Sequence, residues 1–254
     1  MIDHSALAVE LYEAERSTVP IRFLTERYPG LEWHDARKIA RATDALRRSE
    51  GETQVGWKLG WTSEAMRTAL GIDRPNWGTL WARQQMDSST TFSAFIHPKI
   101  EPELVWRCPQ NIDGAPSADE LRELGGQWTL GIEVVDPRFP SFDFDALDNT
   151  ADNSSSAAIA IGSFQNTTAL PELESLQVEL SDGRETRHGL GSQAMGSPWE
   201  AIAWLVRSLA EEGDSIQADE IVFTGGITAP FDVVRGHRYS MSAEGFSTVN
   251  LTFE

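Results

Sequence analysis

The sequence predicts an α+β protein, and three observations support that fold class. The first fifty residues carry the 3.6-residue apolar spacing of helices. After Pro98 the pattern changes to strands with few helices between them, which is typical of a mostly antiparallel or mixed β core. No glycine-rich phosphate loop follows a predicted strand, and this removes the common nucleotide-binding folds from consideration.

The N-terminal elements are predicted to be helices. Residues 5–17 place apolar side chains at helical spacing, and Pro20 opens a second short helix that runs through Tyr28. Residues 34–49 form a third helix with an apolar inner face. Its basic side chains are expected to face solvent, and they are Arg37, Lys38, Arg41, Arg47 and Arg48.

Later elements follow from local capping and alternation signals. Thr62 or Ser63 caps a helix through Leu70, and residues 72–78 are expected to form a loop. Ser197 caps the clearest helix of the chain, with proline at its first position and glutamate at its third. Strands are predicted at 53–59, 100–107, 127–135, about 157–162, 173–180, 219–224 and 247–253.

Length and composition limit the domain count and the partners. The 254 residues suffice for one large domain, which divides into a helical N-terminal layer (1–50) and a β-rich catalytic core (51–254). A net charge of -18 argues against nucleic acid or an anionic membrane as partner. The single cysteine, Cys108, excludes an intramolecular disulfide and a cysteine-based zinc site. No signal-peptide pattern or 18-residue apolar stretch is visible, so we expect a cytoplasmic protein.

Glu101 and Glu103 carry the strongest chemical signal in the chain. A strand repeats every two residues, so both carboxylates point to one face, where like charges repel and are costly to desolvate. Glu133 is a lone acid inside another apolar strand pattern, 129–135. A hard divalent cation such as Mg²⁺ or Mn²⁺ binds oxygen ligands and keeps such groups ionised. The pattern thus indicates a metal site, and the alternative is the solvated face of an edge strand.

Three further features have both a chemical and a purely structural interpretation. Lys58 lies between aromatic and aliphatic neighbours, which suits it to proton transfer or carboxylate binding, although it could equally extend from a strand edge to solvent. Asn76 places an amide in a pocket or only forms a turn. The small polar residues 151–156 bind a carboxylate or form a cap or tight turn. The five histidines form no ligand-spaced pair, and no G-x-S-x-G elbow indicates a serine hydrolase.

Six motifs occur in an order that resembles one family. They lie at residues 56–63, 71–78, 97–103, 132–136, 151–155 and 224–228. Their succession is similar to the 2-oxopent-4-enoate (vinylpyruvate) hydratase and 4-oxalocrotonate decarboxylase family, within the fumarylacetoacetate hydrolase superfamily. The resemblance implies a fumarylacetoacetate-hydrolase-like mixed β-roll with a helical N-terminal part, usually a homo-oligomer.

The resemblance also implies the parts of an active site. The metal, Mg²⁺ or Mn²⁺, would be held by Glu101, Glu103 and Glu133. The substrate would be a small 2-oxo acid or its 2-hydroxydienoate enol, bound through its C1 carboxylate and C2 oxygen. Lys58 falls on the family's active-site lysine and Ser155 on the serine that approaches the substrate carboxylate. The helix end that covers the substrate falls on Leu70 and Gly71.

Asn76, which we place with Lys58 among the candidate catalytic residues, departs from the hydratase pattern. Hydratases usually have an aspartate there for acid–base chemistry, and an amide cannot shuttle a proton at neutral pH. We therefore favour decarboxylation of a 4-oxalocrotonate-like 2-oxo-3-enedioate in meta-cleavage-type aromatic catabolism. The alternative is a 2-hydroxypenta-2,4-dienoate hydratase. A third interpretation is a non-catalytic partner subunit of a hydratase–decarboxylase complex, against which the retained glutamates and lysine argue.

Overall fold

The computed structural model describes residues 2–166 and 172–254, apart from the side chain of Leu70. Its helices are α1 (His4–Ser17), α2 (Leu24–Arg27), α3 (Trp33–Ser49), α4 (Glu64–Leu70), α5 (Ala118–Leu124), α6 (Ala146–Ala151) and α7 (Pro198–Glu211). Its strands are β1 (Gln54–Gly60), β2 (Asn76–Trp81), β3 (Gln85–Met86), β4 (Ser89–Thr90), β5 (Lys99–Arg107), β6 (Gln127–Val135), β7 (Ser156–Ile161), β8 (Gln165–Asn166), β9 (Gln177–Ser181), β10 (Thr186–Leu190), β11 (Ile221–Phe223), β12 (Phe231–Asp232), β13 (Arg238–Ala243) and β14 (Val249–Phe253). Helices before β1 and strands after it confirm the predicted α+β class.

The strands form two mixed sheets within the described part of the chain. The larger has the order β2-β1-β11-β5-β6-β7-β3, with β12 beside β5 and β8 beside β6. The smaller has the order β10-β9-β13-β14-β4. The pairs β1–β11, β3–β7 and β4–β14 are parallel, and the remaining described pairs are antiparallel. Strands β5 and β6 lie near the centre of the larger sheet, where both faces are covered.

The helix α7 closes the main core as its sequence predicts. Ser197 caps it by accepting a hydrogen bond from the backbone nitrogen of Trp199, and Pro198 occupies its first turn. The Trp199 ring packs edge-on against Trp128 of β6, with 4.9 Å between centroids. Such aromatic contacts add to the hydrophobic stabilisation of the surface they bury. The contact between Trp199 and Trp128 therefore fixes α7 against β6.

The N-terminal helices form a second buried cluster. Leu7 and Leu11 of α1, Leu24 of α2 and Ile39 of α3 pack with Phe139, which follows β6. Asp3 caps α1 by accepting from the backbone nitrogen of Ala6. These helices therefore cover the segment that leads from β6 to α6. Among the described residues, no helix has the length and apolar character needed to cross a lipid bilayer.

Two basic residues of α3 were predicted wrongly, because Arg37 and Arg47 are buried rather than exposed. The guanidinium of Arg37 lies 3.9 Å from the centre of the Trp77 ring and pairs with Glu212. Arg47 pairs with Glu15 and with a second glutamate, Glu52. Paired charges of this kind tolerate burial, and helical spacing alone does not reveal their partners.

The prediction of a loop at 72–78 was wrong in its second half. Asn76 begins β2, and every residue of that strand is buried. The strand pairs antiparallel with β1, placing Asn76 opposite Gly60 and Gly78 opposite Lys58. Strands β10 and β13 were not predicted either, since their polar sequences carry a weak alternation signal. The strand at 173–180 was predicted too early, because a 3-10 turn occupies 173–175 before β9.

Candidate active site

A cavity of about 420 Å³ opens between the end of β1, β5 and the loops after β6 and β11. Three residues singled out in the sequence line it, namely Lys58, Glu101 and Ser155. The rest of its wall is largely apolar and includes Trp61, Met66, Phe142, Phe144 and Ile227. A wider depression of about 580 Å³ at residues 181–184 and 236–240 lies apart from them and is more open to solvent. The enclosed cavity is therefore the candidate site.

Pairing of β5 with β6 brings the three glutamates together. The register sets Glu101 directly opposite Glu133 and Glu103 opposite Gly131, so all three carboxylates share one face. Ligand oxygens of Glu101, Glu103 and Glu133 lie within 4.8 Å of one another. Glu103 and Glu133 are fully buried, while Glu101 is partly exposed at the cavity. The structure thus converges side chains that the sequence placed on two separate strands.

The electrostatics of this cluster fit a divalent cation. Burial raises the pKa of Glu101 to about 7, against the opposing charge of Lys58, and it raises the pKa values of Glu103 and Glu133 as well. One oxygen of Glu103 and both oxygens of Glu133 lack a hydrogen-bond partner within the described residues. Lys58 forms an ion pair with Glu133, and the two carboxylates left without an ion pair in the described residues could be neutralised by two further positive charges. Oxygen donors in this number suit a hard divalent ion.

The turn after β11 closes one side of the cluster. The backbone nitrogen of Gly225 donates to Glu103 Oε2 at 2.6 Å and fixes that carboxylate. A Cβ at Gly226 would lie 2.8 Å from Glu101 Oε2, so a larger residue there would displace this carboxylate. Gly225 is constrained separately, because its φ is 104° and a Cβ there would collide with the side chain of Thr62.

Lys58 joins the acid cluster from β1. Its Nζ donates to the carbonyl oxygen of Ser154 at 3.0 Å and to Ser154 Oγ at 3.1 Å. It also lies 3.1 Å from Glu133 Oε2, which makes an ion pair without hydrogen-bond alignment. Lys58 is almost fully buried at the cavity wall, so the alternative of an exposed strand-edge lysine is wrong. These contacts fix the position of its amine at the cavity wall.

Asn76 lies behind the cavity wall and does not line it. Its Oδ1 accepts from Ser154 Oγ at 2.9 Å, which leaves the lone pairs of that hydroxyl to face Lys58. Its Nδ2 donates to Asn149 Oδ1 at 2.8 Å and to Thr150 Oγ1 at 3.2 Å. Asn76 therefore contacts the lysine through Ser154, and its amide uses both hydrogen-bonding ends.

The segment before β7 holds the serines in a conformation that L-residues rarely adopt. Asn153, Ser154 and Ser155 have φ values of 52°, 54° and 56°. The side chain of Asn153 anchors the turn on β2, since Oδ1 accepts from the backbone nitrogen of Thr79 and Nδ2 donates to the Thr79 carbonyl. Asn149 Nδ2 donates to Ser155 Oγ at 2.7 Å. The polar run 151–156 is thus a strained turn that presents two hydroxyls at the site.

The remaining predicted residues lie at the end of α4. Gly71 is the C-cap of that helix with φ 69°, is exposed, and does not line the cavity. The side chain of Leu70 lies outside the described part. Ser63 and Met66, earlier in the same segment, do line the cavity, and Ser63 caps the helix as predicted.

Sequence reasoning missed several lining residues. Lys99 lies two residues before Glu101, so strand periodicity already places both on one face. Phe142, Phe144 and Asn149 come from the loop and helix after β6, and they reach the cavity because that segment folds back over it. Only the first of these positions had a signal in the sequence.

Comparison with known proteins decides the family. No family model matches the chain. The 4-oxalocrotonate decarboxylase of Pseudomonas sp. (strain CF600) is 30% identical over 253 residues, covering 98% of this chain and 96% of the relative. The 2-hydroxyhexa-2,4-dienoate hydratase of Comamonas testosteroni is 28% identical over 249 residues, covering 96% and 94%. The chain belongs to the 2-keto-4-pentenoate hydratase and 4-oxalocrotonate decarboxylase family.

Solved structures agree with this membership. The 4-oxalocrotonate decarboxylase from Pseudomonas putida G7, complexed with magnesium and adipate, superposes with a TM-score of 0.94 at 28% identity, covering 99% of this chain and 97% of that one. The fumarylpyruvate hydrolase from Pseudomonas aeruginosa, in complex with Mn²⁺ and pyruvate, gives a TM-score of 0.62 at 16% identity over 80% and 90% of the two chains, and shows the fold alone. The fumarylacetoacetate-hydrolase-like fold expected from the motifs is confirmed.

Proposed function

We propose that the protein is a divalent-metal-dependent lyase that decarboxylates a 2-oxo-3-enedioate similar to 4-oxalocrotonate. The observation that carries the choice is that Glu101, itself in the candidate metal cluster, is the sole carboxylate on the described cavity wall. Water addition needs a separate acid–base group beside the substrate, whereas decarboxylation needs an electron sink and one proton donor. Similarity to the decarboxylases named above supports the same choice.

The cofactor that fits the cluster is Mg²⁺ or Mn²⁺, and Glu101, Glu103 and Glu133 would hold it. Similar solved proteins are complexed with magnesium, calcium or Mn²⁺. A bound ion would supply Lewis acidity toward the C1 carboxylate and C2 oxygen of the substrate. Three buried or half-buried carboxylates, one of them paired with Lys58, are consistent with that charge.

Lys58 is the proposed proton donor. When the bond between C5 and C6 breaks, CO₂ leaves without the bonding electrons, which delocalise toward the C2 oxygen as a dienolate. The amine of Lys58 faces the cavity and would stabilise that charge and then supply one proton, giving 2-hydroxypenta-2,4-dienoate. Asn76 would act as a positioning residue, because it orients the Ser154 hydroxyl that accepts from Lys58.

Substrate placement falls to the residues around the reacting end. We propose that Ser155, which lines the cavity, orients the C1 carboxylate. Leu70 and Gly71 would cover the substrate as the end of α4. In support, Ser63 and Met66 of the same segment already form part of the cavity wall.

The test supplies 2-oxohex-3-enedioate and 2-hydroxypenta-2,4-dienoate separately, each with Mg²⁺. We expect the protein to release CO₂ from the first compound. It should consume the second slowly or not at all, as measured by the absorbance of the dienoate. Turnover of only the second would overturn the decarboxylase and establish the hydratase, which the Comamonas relative favours by its name. A chelator should abolish either activity, and full activity in its presence would contradict the metal assignment.

A binding measurement distinguishes the proposed enzyme from a non-catalytic partner subunit. Titration calorimetry with oxalate, an enolate mimic, should show heat only when Mg²⁺ is present, whereas a silent partner should show none. We also propose that the protein is a homo-oligomer, that it assembles with a partner pathway enzyme, and that it is located in the cytoplasm. Light scattering of the purified protein, co-purification and cell fractionation test these three in turn.

A further inference from the structure

The cavity carries a second cation, Lys99, that the reaction described above does not use. It lies on the same face of β5 as Glu101, two residues away. It pairs with Val135 of β6, which also lines the cavity. Its Nζ lies 4.5 Å from the centre of the Phe142 ring. Lys58 and Lys99 are the cations among the described lining residues.

The two lysines leave the sheet at different levels, although the amine of Lys58 reaches back to Glu133. Lys58 pairs with Phe223 of β11, and Phe223 pairs with Val105 of β5, so Lys58 is level with Val105, six residues from Lys99. The carboxylate cluster lies between these levels. A substrate held at the cluster therefore has Lys58 near one end and Lys99 toward the other.

The spacing matches a six-carbon diacid. Two residues along a strand span about 7 Å. An extended six-carbon chain separates its two carboxyl carbons by about 6 Å, given carbon–carbon bonds of about 1.5 Å. A substrate whose first two carbons lie at Glu101 would thus bring its distal carboxylate to the level of Lys99.

The surroundings of Lys99 leave it available. Its ion-pair partner, Asp232, lies at 3.3 Å but its side chain is 84% exposed, and exposed ion pairs contribute little because water screens them. The Phe142 ring packs on the ammonium and the Lys99 side chain is 29% exposed, so water screens its charge less than that of Asp232. A carboxylate in the cavity can therefore replace Asp232 as the partner of Lys99.

We propose that Lys99, supported by Phe142, binds the distal carboxylate of the substrate and makes the site selective for 2-oxo dicarboxylates over 2-oxo monocarboxylates. This inference rests on the proposed function, because it assumes that the 2-oxo end binds at the glutamate cluster. It extends that function by assigning the substrate class to one side chain.

The test uses two unreactive probes of equal chain length, 2-oxoadipate and 2-oxohexanoate, titrated calorimetrically into the protein with saturating Mg²⁺. A charge-assisted contact in a half-enclosed site should make 2-oxoadipate bind on the order of tenfold more tightly. The Lys99→Met variant should lose this preference while 2-oxohexanoate binds as before, and Lys99→Arg should keep it. Lys38→Met, on the exposed face of α3, is the matched control and should leave both affinities unchanged.

Kinetics provide a second readout. The distal carboxylate leaves as neutral CO₂, so its ion pair with Lys99 weakens in the transition state. For 2-oxohex-3-enedioate, Lys99→Met should therefore raise KM about tenfold without lowering kcat. Equal affinities in the parent protein, an unchanged preference in Lys99→Met, or a fall in kcat would each overturn the inference. Failure of both probes to bind in a Mg²⁺-dependent manner would instead contradict the proposed function itself.

Discussion

Asn76 shows how a residue can shape the chemistry without touching the cavity. By the resemblance it stands where we expect a hydratase to carry an acid, and its amide connects Asn149, Thr150 and Ser154 in one buried network. Both ends of the amide are engaged, one as donor and one as acceptor. A carboxylate has no proton to donate at neutral pH, so the same position cannot hold an ionised acid without changing its neighbours.

We therefore expect Asn76→Asp to be harmful. The new carboxylate would face Asn149 Oδ1 without a proton, which should lower the free energy of unfolding by about 1–3 kcal/mol and lower kcat by at least about tenfold as Ser154 and Lys58 lose alignment. Urea unfolding and initial rates with 2-oxohex-3-enedioate measure the two effects. Asn166→Asp, at an exposed site, is the control. A variant as stable and active as the parent would contradict the positioning role.

At the scale of elements, the left-handed turn at residues 153–155 is the most strained part of the site. Asn153 anchors it through two hydrogen bonds to the backbone of Thr79. Replacement by glycine removes these bonds but fits the backbone, whereas replacement by alanine removes them and also leaves an L side chain at positive φ.

We predict that both variants lose stability and that the alanine variant loses more. Asn153→Ala should unfold at a free energy about 1 kcal/mol lower than Asn153→Gly, which is the usual strain of a non-glycine residue in that region. Chemical unfolding of the two proteins under the same conditions gives this difference directly. Equal stabilities would show that the turn relaxes when its anchor is removed.

The contact between α3 and β2 has a pH-dependent component. Asp44 of α3 accepts from Thr79 Oγ1 at 2.8 Å, and its other oxygen lacks a hydrogen-bond partner within the described residues. Burial raises the pKa of Asp44 from 3.8 to about 6, against the opposing contact with Thr79 and the charges of nearby arginines. The folded state therefore binds a proton more tightly than the unfolded state does, so this group's contribution is complete below pH 3.8 and is lost as pH rises through 6.

Comparison with Asp44→Asn isolates this contribution, because asparagine keeps an acceptor for Thr79 but does not titrate. Between pH 8 and pH 5 the parent protein should gain about 1 kcal/mol of unfolding free energy relative to the variant. Denaturant unfolding at the two pH values gives the double difference. A difference that stays constant with pH would show that Asp44 titrates alike in both states.

The elements that the sequence predicted well are those with an uninterrupted local signal. Strand β6 was predicted at its observed bounds, and β5 differs by one residue. Strand β2 was not, because Pro75 and Asn76 are turn formers and only pairing with β1 makes the segment a strand. The positions of Phe142 and Asn149 depend on how the segment after β6 folds back, which is tertiary information. The sequence predicted that the glutamates of β5 and β6 lie on strands and could bind a metal. The register that sets Glu101 opposite Glu133 is known only from the fold.

At the scale of the whole molecule, metal binding and folding should be coupled. The cluster unites strands that are far apart in sequence, so a cation that binds it stabilises only the folded chain. At a hundredfold excess over Kd, Mg²⁺ should add about 2.7 kcal/mol and raise Tm by about 5–10 °C. Differential scanning calorimetry with and without Mg²⁺ measures the shift.

Two variants test this prediction, one at a buried glutamate of the cluster and one at an exposed glutamate outside it. Glu103→Gln keeps an acceptor for the Gly225 nitrogen but removes one charge from the buried cluster, and it should abolish most of the Mg²⁺-dependent shift. Glu123→Gln, on the exposed surface of α5, should retain the whole shift. An equal shift in both variants would place the bound ion elsewhere.

The division of the chain into a helical layer (1–50) and a β-rich core (51–254) also remains a prediction. Expression of residues 51–254 alone would test whether the core folds without the layer.

The pairing of β5 with β6 also bears on how such proteins diversify. Nine consecutive residue pairs fix the glutamate cluster within the sheet, whereas much of the remaining cavity wall comes from loops after β6 and β11. Duplicated genes can therefore drift in those loops while inheriting the same centre intact. If the proposed function holds, enzymes for successive reactions, one releasing a dienol and the next hydrating it, can descend from one ancestor that already had the glutamate cluster.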